Sequence, residues 1–381
     1  MIKPQPVEPE LATFRATCRR FAEQHIAPHA IAWEEAEIFP RELYLEAGKL
    51  GLLGAGFPEE FGGSGLDALL PLMAIEGILH GGSTGVLMGL FSHGIALPHI
   101  LALGDQEQKS RFVPAVLRGE RIAALGITEP GTGSDVAGIR TRAVRDGDHY
   151  VLNGSKLFIT SGVRADQVTV LARTGDDPHK GLTFFVVERD MPGYAVSRAL
   201  HKTGWRASDT AELSFTDVRV PLSHRLGAEG SGFFALMGGF QGERLALAFT
   251  GHATAEIAVN DALAWAKQRE AFGRPIAKFQ VTKHKLADMA TRVRAARAFN
   301  YEVARDVRAG KVDPAAVSMA KNFAADVAVS VCHDAVQILG GMGYMRETRV
   351  ERFSRDARLL PIGGGTTEVM NEVIARFGFG L

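Results

Sequence analysis

The sequence predicts an α+β protein with an N-terminal helical domain, a central β domain and a C-terminal helical bundle. Three observations carry this. Apolar residues recur at helical spacing up to about residue 120. Short β-branched and aromatic runs, cut by Asp-Gly and Asn-Gly, follow to about 222. Long stretches rich in Ala and Leu, free of proline in their longest run, fill the rest. The domain boundaries read from these shifts are 1–120, 121–230 and 231–381.

In the first region Leu11, Phe14, Cys18, Phe21, Ala22 and Ile26 mark one amphipathic helix, with Pro28 near its end. Ala68 to Leu79 and Gln106 to Leu117 are further helical candidates, separated by glycine-rich breaks such as 61–65. In the second, Asp146-Gly147-Asp148 between Thr141–Arg145 and His149–Leu152 predicts a hairpin. Asn153-Gly154 predicts another tight turn before Lys156–Thr160. Gln167–Arg173, Leu182–Glu188 and Ala211–Val220 read as strands. In the third, Phe233 to Lys267, Phe279 to Arg308, Pro314 to Leu339 and Thr366 to Ala375 predict an antiparallel four-helix bundle.

Composition narrows the function. The 381 residues are 46% hydrophobic and 23% charged, with 43 Lys+Arg against 43 Asp+Glu. A neutral chain lacks the basic excess of a nucleic-acid binder. The two cysteines, Cys18 and Cys332, form no CxxC and no His/Cys cluster, so disulfide and zinc readings are poor. The start MIKPQPVEPE reads as neither signal nor transit peptide, and no uninterrupted apolar run approaches a membrane span of ~18 residues. A reducing, cytoplasmic location is the expectation.

The chemistry-bearing segments begin at 127–135, Ile-Thr-Glu-Pro-Gly-Thr-Gly-Ser-Asp. Gly131, Gly133 and Ser134 free backbone N–H groups to approach an anionic or carbonyl-rich ligand, while Thr128 and Ser134 add hydroxyls. Alone, this also fits a plain surface turn. Residues 153–162, Asn-Gly-Ser-Lys-Leu-Phe-Ile-Thr-Ser-Gly, follow. Then come Arg-Glu-Ala-Phe-Gly-Arg-Pro-Ile at 269–276 with Phe279-Gln280, Gln-Ile-Leu-Gly-Gly-Met-Gly-Tyr at 337–344, and Arg-Asp-Ala-Arg at 355–358.

In this order, and across nearly the whole chain, these segments resemble the signature set of the acyl-CoA dehydrogenases. The resemblance implies a helical, β-barrel, helical layout and FAD as cofactor. Leu125, Ile127 and Thr128 would line the flavin ring, with Gly133 and Ser134 near the pyrophosphate and CoA. Phe158, Ile159 and Thr160 would flank the ring's other side, with Thr160 near N5. Arg269, Phe272, Gln280, Gln337, Gly340 and Gly341 would meet the FAD of a neighbouring subunit in a homotetramer, and Thr366 and Glu368 would complete the cofactor set. Electron-transferring flavoprotein would take the electrons.

One departure stands out. Much of the family carries its base in a C-terminal Glu-Gly-Thr segment; here 361–368 read Pro-Ile-Gly-Gly-Gly-Thr-Thr-Glu and the position holds Gly364. The isovaleryl- and long-chain-type branch keeps its base in a helical Glu-Arg-Leu, matched by Glu243-Arg244-Leu245. At helical spacing Glu243 shares a face with Gly239, Phe240, Ala246 and Leu247, which would desolvate the carboxylate and raise its pKa. Glu243 is therefore expected to remove the α-proton while the β-hydrogen leaves as hydride to flavin N5, giving a trans-2-enoyl-CoA. The Gly364 N–H and a ribityl hydroxyl would polarise the thioester carbonyl, and Arg244, Gly365 and Ser134 would hold the thioester and CoA. The competing assignment pairs Glu243 with an arginine and gives the base role to Glu129 or Glu368. Moving the carboxylate, Glu243→Gly with Gly364→Glu, is expected to restore part of the activity. Other readings are a relative with altered flavin chemistry, an oxidase or desulfinase, and a non-enzymatic DNA-associated flavoprotein. Acyl chain length stays open.

Overall fold

A computed structural model describes residues 5–381; the first four residues of the stretch read as leaderless lie outside them. Eight helices come first: α1 (Pro9–His25), α2 (Ala30–Ala36), α3 (Glu42–Lys49), α4 (Leu70–Ile78), α5 (Thr84–Leu90), α6 (His93–Leu103), α7 (Gln106–Phe112) and α8 (Pro114–Leu117). The run predicted from Gln106 to Leu117 breaks at Val113, because Pro114 lacks the N–H that would continue the ladder. Asp105 closes a capping box with Gln108 and fixes where α7 begins. α5 and α6 were not predicted: their segment is apolar all round, so it has no helical stripe to read.

That apolar segment, Thr84–Leu103, corrects the expectation on apolar runs. It and Pro314–Tyr344 are each long and apolar enough to cross a membrane by length and composition. Thr84–Leu103 is interrupted between α5 and α6 and contributes Val86, Leu87, Leu90, Leu97 and Ile100 to two cores.

The central strands are β1 (Ala123–Gly126), β2 (Arg142–Asp146), β3 (His149–Thr160), β4 (Gln167–Arg173), β5 (Leu182–Glu188), β6 (Tyr194–Ala199), β7 (Thr210–Pro221) and β8 (Arg225–Leu226). They form one eight-stranded sheet in the order β6-β7-β3-β2-β4-β5-β8, with β1 parallel to β4. β2 and β4 touch at a single pair, Arg142 with Arg173, and there the sheet folds over itself. Side chains from both halves, among them Tyr150, Ile159, Val168, Phe185 and Leu213, fill the barrel-like interior. The other face of β4 and β5 packs Leu171, Phe184 and Val186 on α6 to α8, so both strands are buried on two sides.

The hairpin at Gly147-Asp148 forms as predicted, with Asp146 opposite His149. The second predicted turn does not form. Asn153 and Gly154 lie inside the continuous strand β3, where the register with β7 shifts between Leu152 and Gly154. Gly154 is needed there because a Cβ would sit 2.5 Å from the Thr141 hydroxyl.

The C-terminal region holds α9 (Gly232–Gln268), a small hairpin of β9 (Glu270–Ala271) and β10 (Arg274–Pro275), α10 (Gln280–Arg308), α11 (Pro314–Leu339), α12 (Arg349–Ala357) and α13 (Thr367–Ile374). α9, α10 and α11 are the long members of the bundle, and the fourth, α13 on α11, is only 8 residues. Gly251 lets α9 close on α11: a Cβ there would lie 2.7 Å from the Ala324 carbonyl oxygen. The two helical regions share one hydrophobic core, running from Leu11 and Met73 to Phe249, Val293 and Val331. Both cysteines are buried and free in it.

Candidate active site

Four segments far apart in sequence meet around Glu243. α9 supplies Glu243 and, one turn earlier, Gly239 and Phe240. α6 supplies Gly94, Ile95, Pro98 and His99. Together they line a recess of about 10 Å³, room for one water. The loop before α13 brings Gly364 beside it: a Cβ at Gly364 would lie 3.5 Å from Glu243 Oε1 and 2.4 Å from Leu247 Cδ1. Gly364 and Gly365 have φ of +64° and +99°, which only glycine adopts at no cost. Among the described residues the Gly364 N–H donates to no protein acceptor.

Two cations hold this loop. Arg244 Nε donates to the Gly364 carbonyl at 3.4 Å, and Lys321 Nζ on α11 to the Gly365 carbonyl at 2.6 Å. Lys321 is 1% exposed. Burial, with Arg244 adding repulsion, brings its pKa down to about 8. Sequence reasoning missed Lys321. The signal was there, a lone lysine on the face that also carries Val317, Ala320, Ala324 and Ala328.

Burial pushes the Glu243 carboxyl above its ordinary range, and Arg244 and Lys321 only partly pull it back. No side chain donates a hydrogen bond to it among the described residues. Arg244 is its sequence neighbour, yet that guanidinium is turned to Gly364 and lies over the Phe240 ring at 5.4 Å. The rival carboxylates are built differently. Glu129 accepts from Lys156 Nζ at 2.9 Å, from the Arg140 N–H at 2.7 Å and from the Thr141 N–H at 2.9 Å. Despite its burial, Lys156 and these donors hold it below the usual carboxylate range. Glu368 is exposed on the first turn of α13 and is lowered by its own backbone N–H and by Thr366.

Leu125 on β1, with Ile127 and Thr128 just after it, stands beside the end of β3. The Leu157 N–H donates to the Thr128 carbonyl at 2.8 Å, and Lys156 reaches the Ile127 carbonyl at 2.9 Å. β3 bulges here, its register with β7 shifting between Lys156 and Ile159. The bulge puts Phe158 in a left-handed conformation, φ +62°, with its ring 65% exposed. A bulky residue pays strain for that geometry and gains no packing, the mark of a ring presented outward. Ile159 is a correction: its side chain is buried in the barrel interior, so only its backbone can face a ligand. The Thr128, Ser134 and Thr160 hydroxyls make no hydrogen bond with the described residues. Gly131 and Gly133 lie on the open loop, where a Cβ would meet nothing within 4 Å. Neither packing nor left-handed backbone requires glycine there, and the loop's backbone is open to approach. Thr366 caps α13 by accepting from the Val369 N–H, so its hydroxyl already has a partner.

The second predicted group is elsewhere. Arg269 ends α9, about 39 Å from Glu243 along the helix at ~1.5 Å per residue. Phe272 forms the tip of the β9–β10 hairpin with Gly273, at φ +51° and 95% exposed. Arg274 covers Phe279 at 4.3 Å. Gln280, Gln337, Gly340 and Gly341 are all exposed. The chain thus assembles one predicted group around the recess and leaves the other at the far end of α9. A larger cavity of about 220 Å³ lies between α1, α4, α9 and α10. Its carboxylates are spent within its own wall, Glu76 on Arg15 and His252 and Glu256 on Arg297, and it belongs to the junction between the helical regions.

Three family descriptions match in order: Acyl-CoA dehydrogenase N-terminal domain at residues 8–120, middle domain at 124–218 and C-terminal domain at 230–379. The chain belongs to the acyl-CoA dehydrogenase family. It is 42% identical over 366 residues, 95% of this chain and 85% of the other, to the mitochondrial long-chain specific acyl-CoA dehydrogenase of Sus scrofa. It is 38% identical over 367 residues, 95% and 90% of the two chains, to the mitochondrial isovaleryl-CoA dehydrogenase of Oryza sativa. A probable acyl-CoA dehydrogenase from Mycobacterium abscessus superposes with a TM-score of 0.96 at 52% identity, covering 97% of this chain and 99% of that one. A glutaryl-CoA dehydrogenase from Mycobacterium smegmatis in complex with FADH2 superposes at 0.93 and 30% identity, covering 98% and 96%. This acyl-CoA dehydrogenase is an oxidoreductase with FAD as cofactor. The open glycine loop, the unpartnered hydroxyls and the outward Phe158 ring fit such a group: a planar ring, phosphates and many acceptors.

Proposed function

We propose that this acyl-CoA dehydrogenase uses Glu243 as the base that removes the α-proton of an acyl-CoA, yielding a trans-2-enoyl-CoA. One observation carries the reading: Glu243 Oε1 lies 3.5 Å from where a side chain at Gly364 would begin. The carboxylate thus reaches, from α9, the place served in other family members from the 361–368 loop. Its surroundings suit the role. Burial raises its proton affinity, so the carboxylate is a stronger base than an exposed glutamate.

The unpaired Gly364 N–H is the donor for the thioester carbonyl, acidifying the α-hydrogen as an oxyanion hole does. Arg244 and Lys321 hold the loop carbonyls on either side, so that N–H is fixed before substrate arrives. Phe158 and Leu125 wall the ring of the cofactor, and Thr128, Ser134 and Thr160 offer it hydroxyls. FAD, when bound, supplies the acceptor for the β-hydrogen and its electron pair. Electron-transferring flavoprotein is the partner that would take those electrons on. The exposed Arg269, Phe272, Gln280, Gln337, Gly340 and Gly341 suit the cofactor of a second subunit, with a homotetramer as the assembly. No single extended dinucleotide bridges the length of α9.

Stopped-flow flavin reduction of Glu243→Gln by a good acyl-CoA tests the base. Loss of general-base catalysis costs ~10²–10⁴-fold in rate. A near-normal rate in a folded, FAD-replete variant rejects the assignment.

A further inference from the structure

The recess beside Glu243 is lined by one polar side chain that the reaction does not need. His99 is 4% exposed. Its ring stacks on Phe184 with centroids 4.5 Å apart and planes 18° apart. Its other neighbour is Gly239, one helical turn before Glu243. A Cβ at Gly239 would lie 2.8 Å from His99 Cε1, with Nε2 and Nδ1 at 3.5 and 3.6 Å. The imidazole therefore turns its edge to the recess wall of α9, and Gly239 is the residue that makes room for it. Among the described residues neither ring nitrogen has a hydrogen-bond partner. Burial alone brings its pKa down to about 4, with no charged group contributing, so the ring is neutral at working pH. A neutral imidazole offers one donor and one acceptor. Besides Glu243, which is kept for the substrate, the side chains of Ile95, Pro98 and Phe240 offer it no partner, so its donor and acceptor are left for what enters the recess.

We propose that His99 is a specificity-determining residue that hydrogen-bonds an oxygen carried by the acyl chain beyond its β-carbon, so that the preferred substrates are hydroxy- or oxo-acyl-CoAs rather than plain hydrocarbon ones. This rests on the reading of Glu243 as the base. With the α-carbon at Glu243, Gly239 and the ring of His99 stand about 6 Å further along α9, several bonds down the chain. A hydroxyl satisfies either nitrogen, in either tautomer. A methylene satisfies neither, and it must also displace the water that the recess has room for. The discrimination follows the rule that a site built to hydrogen-bond a substrate group disfavours the analogue lacking it.

The test uses FAD-replete enzyme and pairs of acyl-CoAs of equal chain length, beginning with hexanoyl-CoA against 5-hydroxyhexanoyl-CoA. Wild-type kcat/KM should favour the hydroxylated member by at least about tenfold. His99→Phe keeps the stack on Phe184 and removes both nitrogens; it should bring the ratio of the two kcat/KM values down to about one. His99→Gln, which restores a donor and an acceptor, should recover part of it. A structural role alone would lower both members together and leave their ratio unchanged in His99→Phe. That result overturns the proposal, as does a wild-type enzyme that prefers the plain chain, a measurement that needs no variant to fold. If no acyl-CoA of either kind reduces the wild-type flavin, the dehydrogenase reading fails instead.

Discussion

The loop after β1 and the recess on α9 each shelter a carboxylate from open solvent, and their surroundings treat it in opposite ways. Glu129 is met by an ammonium and two backbone N–H groups. The result is a strut. It stays ionised, spends its lone pairs on the protein and fixes the turn that continues into Gly131 and Gly133. Glu243 is half-buried, and the nearby cations are turned to the carbonyls of the 364–365 loop instead. Its proton affinity rises and its oxygens stay unspent. Burial does not distinguish a base from a strut; the count of donors does.

The largest expected effect separates these roles by the same substitution. Glu243→Gln should slow flavin reduction ~10²-fold or more with FAD binding and melting temperature near wild type. Glu129→Gln should do the reverse. It leaves Lys156 buried without its counter-ion, and breaking such a pair costs about 3–5 kcal/mol. A thermal melt should fall markedly, while enzyme that stays folded and loaded reduces its flavin at a rate within a few-fold of wild type. If Glu129→Gln abolishes reduction in loaded enzyme and Glu243→Gln does not, the comparison is inverted.

Next in size is the contact between α9 and the C-terminal helices' far cluster. Arg269→Glu puts a carboxylate where the exposed Arg269–Phe272 segment would meet phosphate. FAD retention after gel filtration should fall by at least about tenfold, and light scattering should show weaker assembly. A monomer holding full FAD would break the shared-site reading.

Moving the carboxylate sharpens the geometry of the recess. From sequence, Glu243→Gly with Gly364→Glu should restore part of the activity. The structure corrects that expectation. A Cβ at 364 would lie 2.4 Å from Leu247 Cδ1, on a backbone at φ +64°. That strain alone is worth about 1–3 kcal/mol. Little recovery is expected from the double variant; adding Leu247→Ala opens the space and should raise the reduction rate several-fold above it. Equal rates with and without Leu247→Ala would mean the loop relaxes on its own.

The smallest effect concerns pH. Glu243 acts only when ionised, so reduction should rise with pH through a midpoint above the ordinary carboxylate range. Lys321 helps hold that pKa down. Lys321→Met removes the cation and its hold on the Gly365 carbonyl, so the rising limb should move to higher pH and the plateau rate should fall by a few-fold. A shift to lower pH, or none in a folded variant, breaks this link between the two residues.

Much of the molecule was legible in one dimension. Gln167–Arg173, Leu182–Glu188 and Pro314–Leu339 have the residue ranges read from sequence, because period and punctuation are local properties. The motif order pointed to the family, and Gly364 together with Glu243-Arg244-Leu245 pointed to Glu243 as the proposed base. Asn153-Gly154 misled because a bulge and a turn share the same dipeptide, and only pairing with β7 tells them apart. α5 and α6 were silent because a helix buried on all sides has no amphipathic stripe. Four facts belonged to tertiary structure alone: that Phe158 faces outward, that Lys321 reaches Gly365, that Leu247 blocks residue 364, and that His99 stands unpaired beside Glu243. Each depends on distances between segments remote in the chain, and burial, strain and proton affinity are set by what surrounds a group in space.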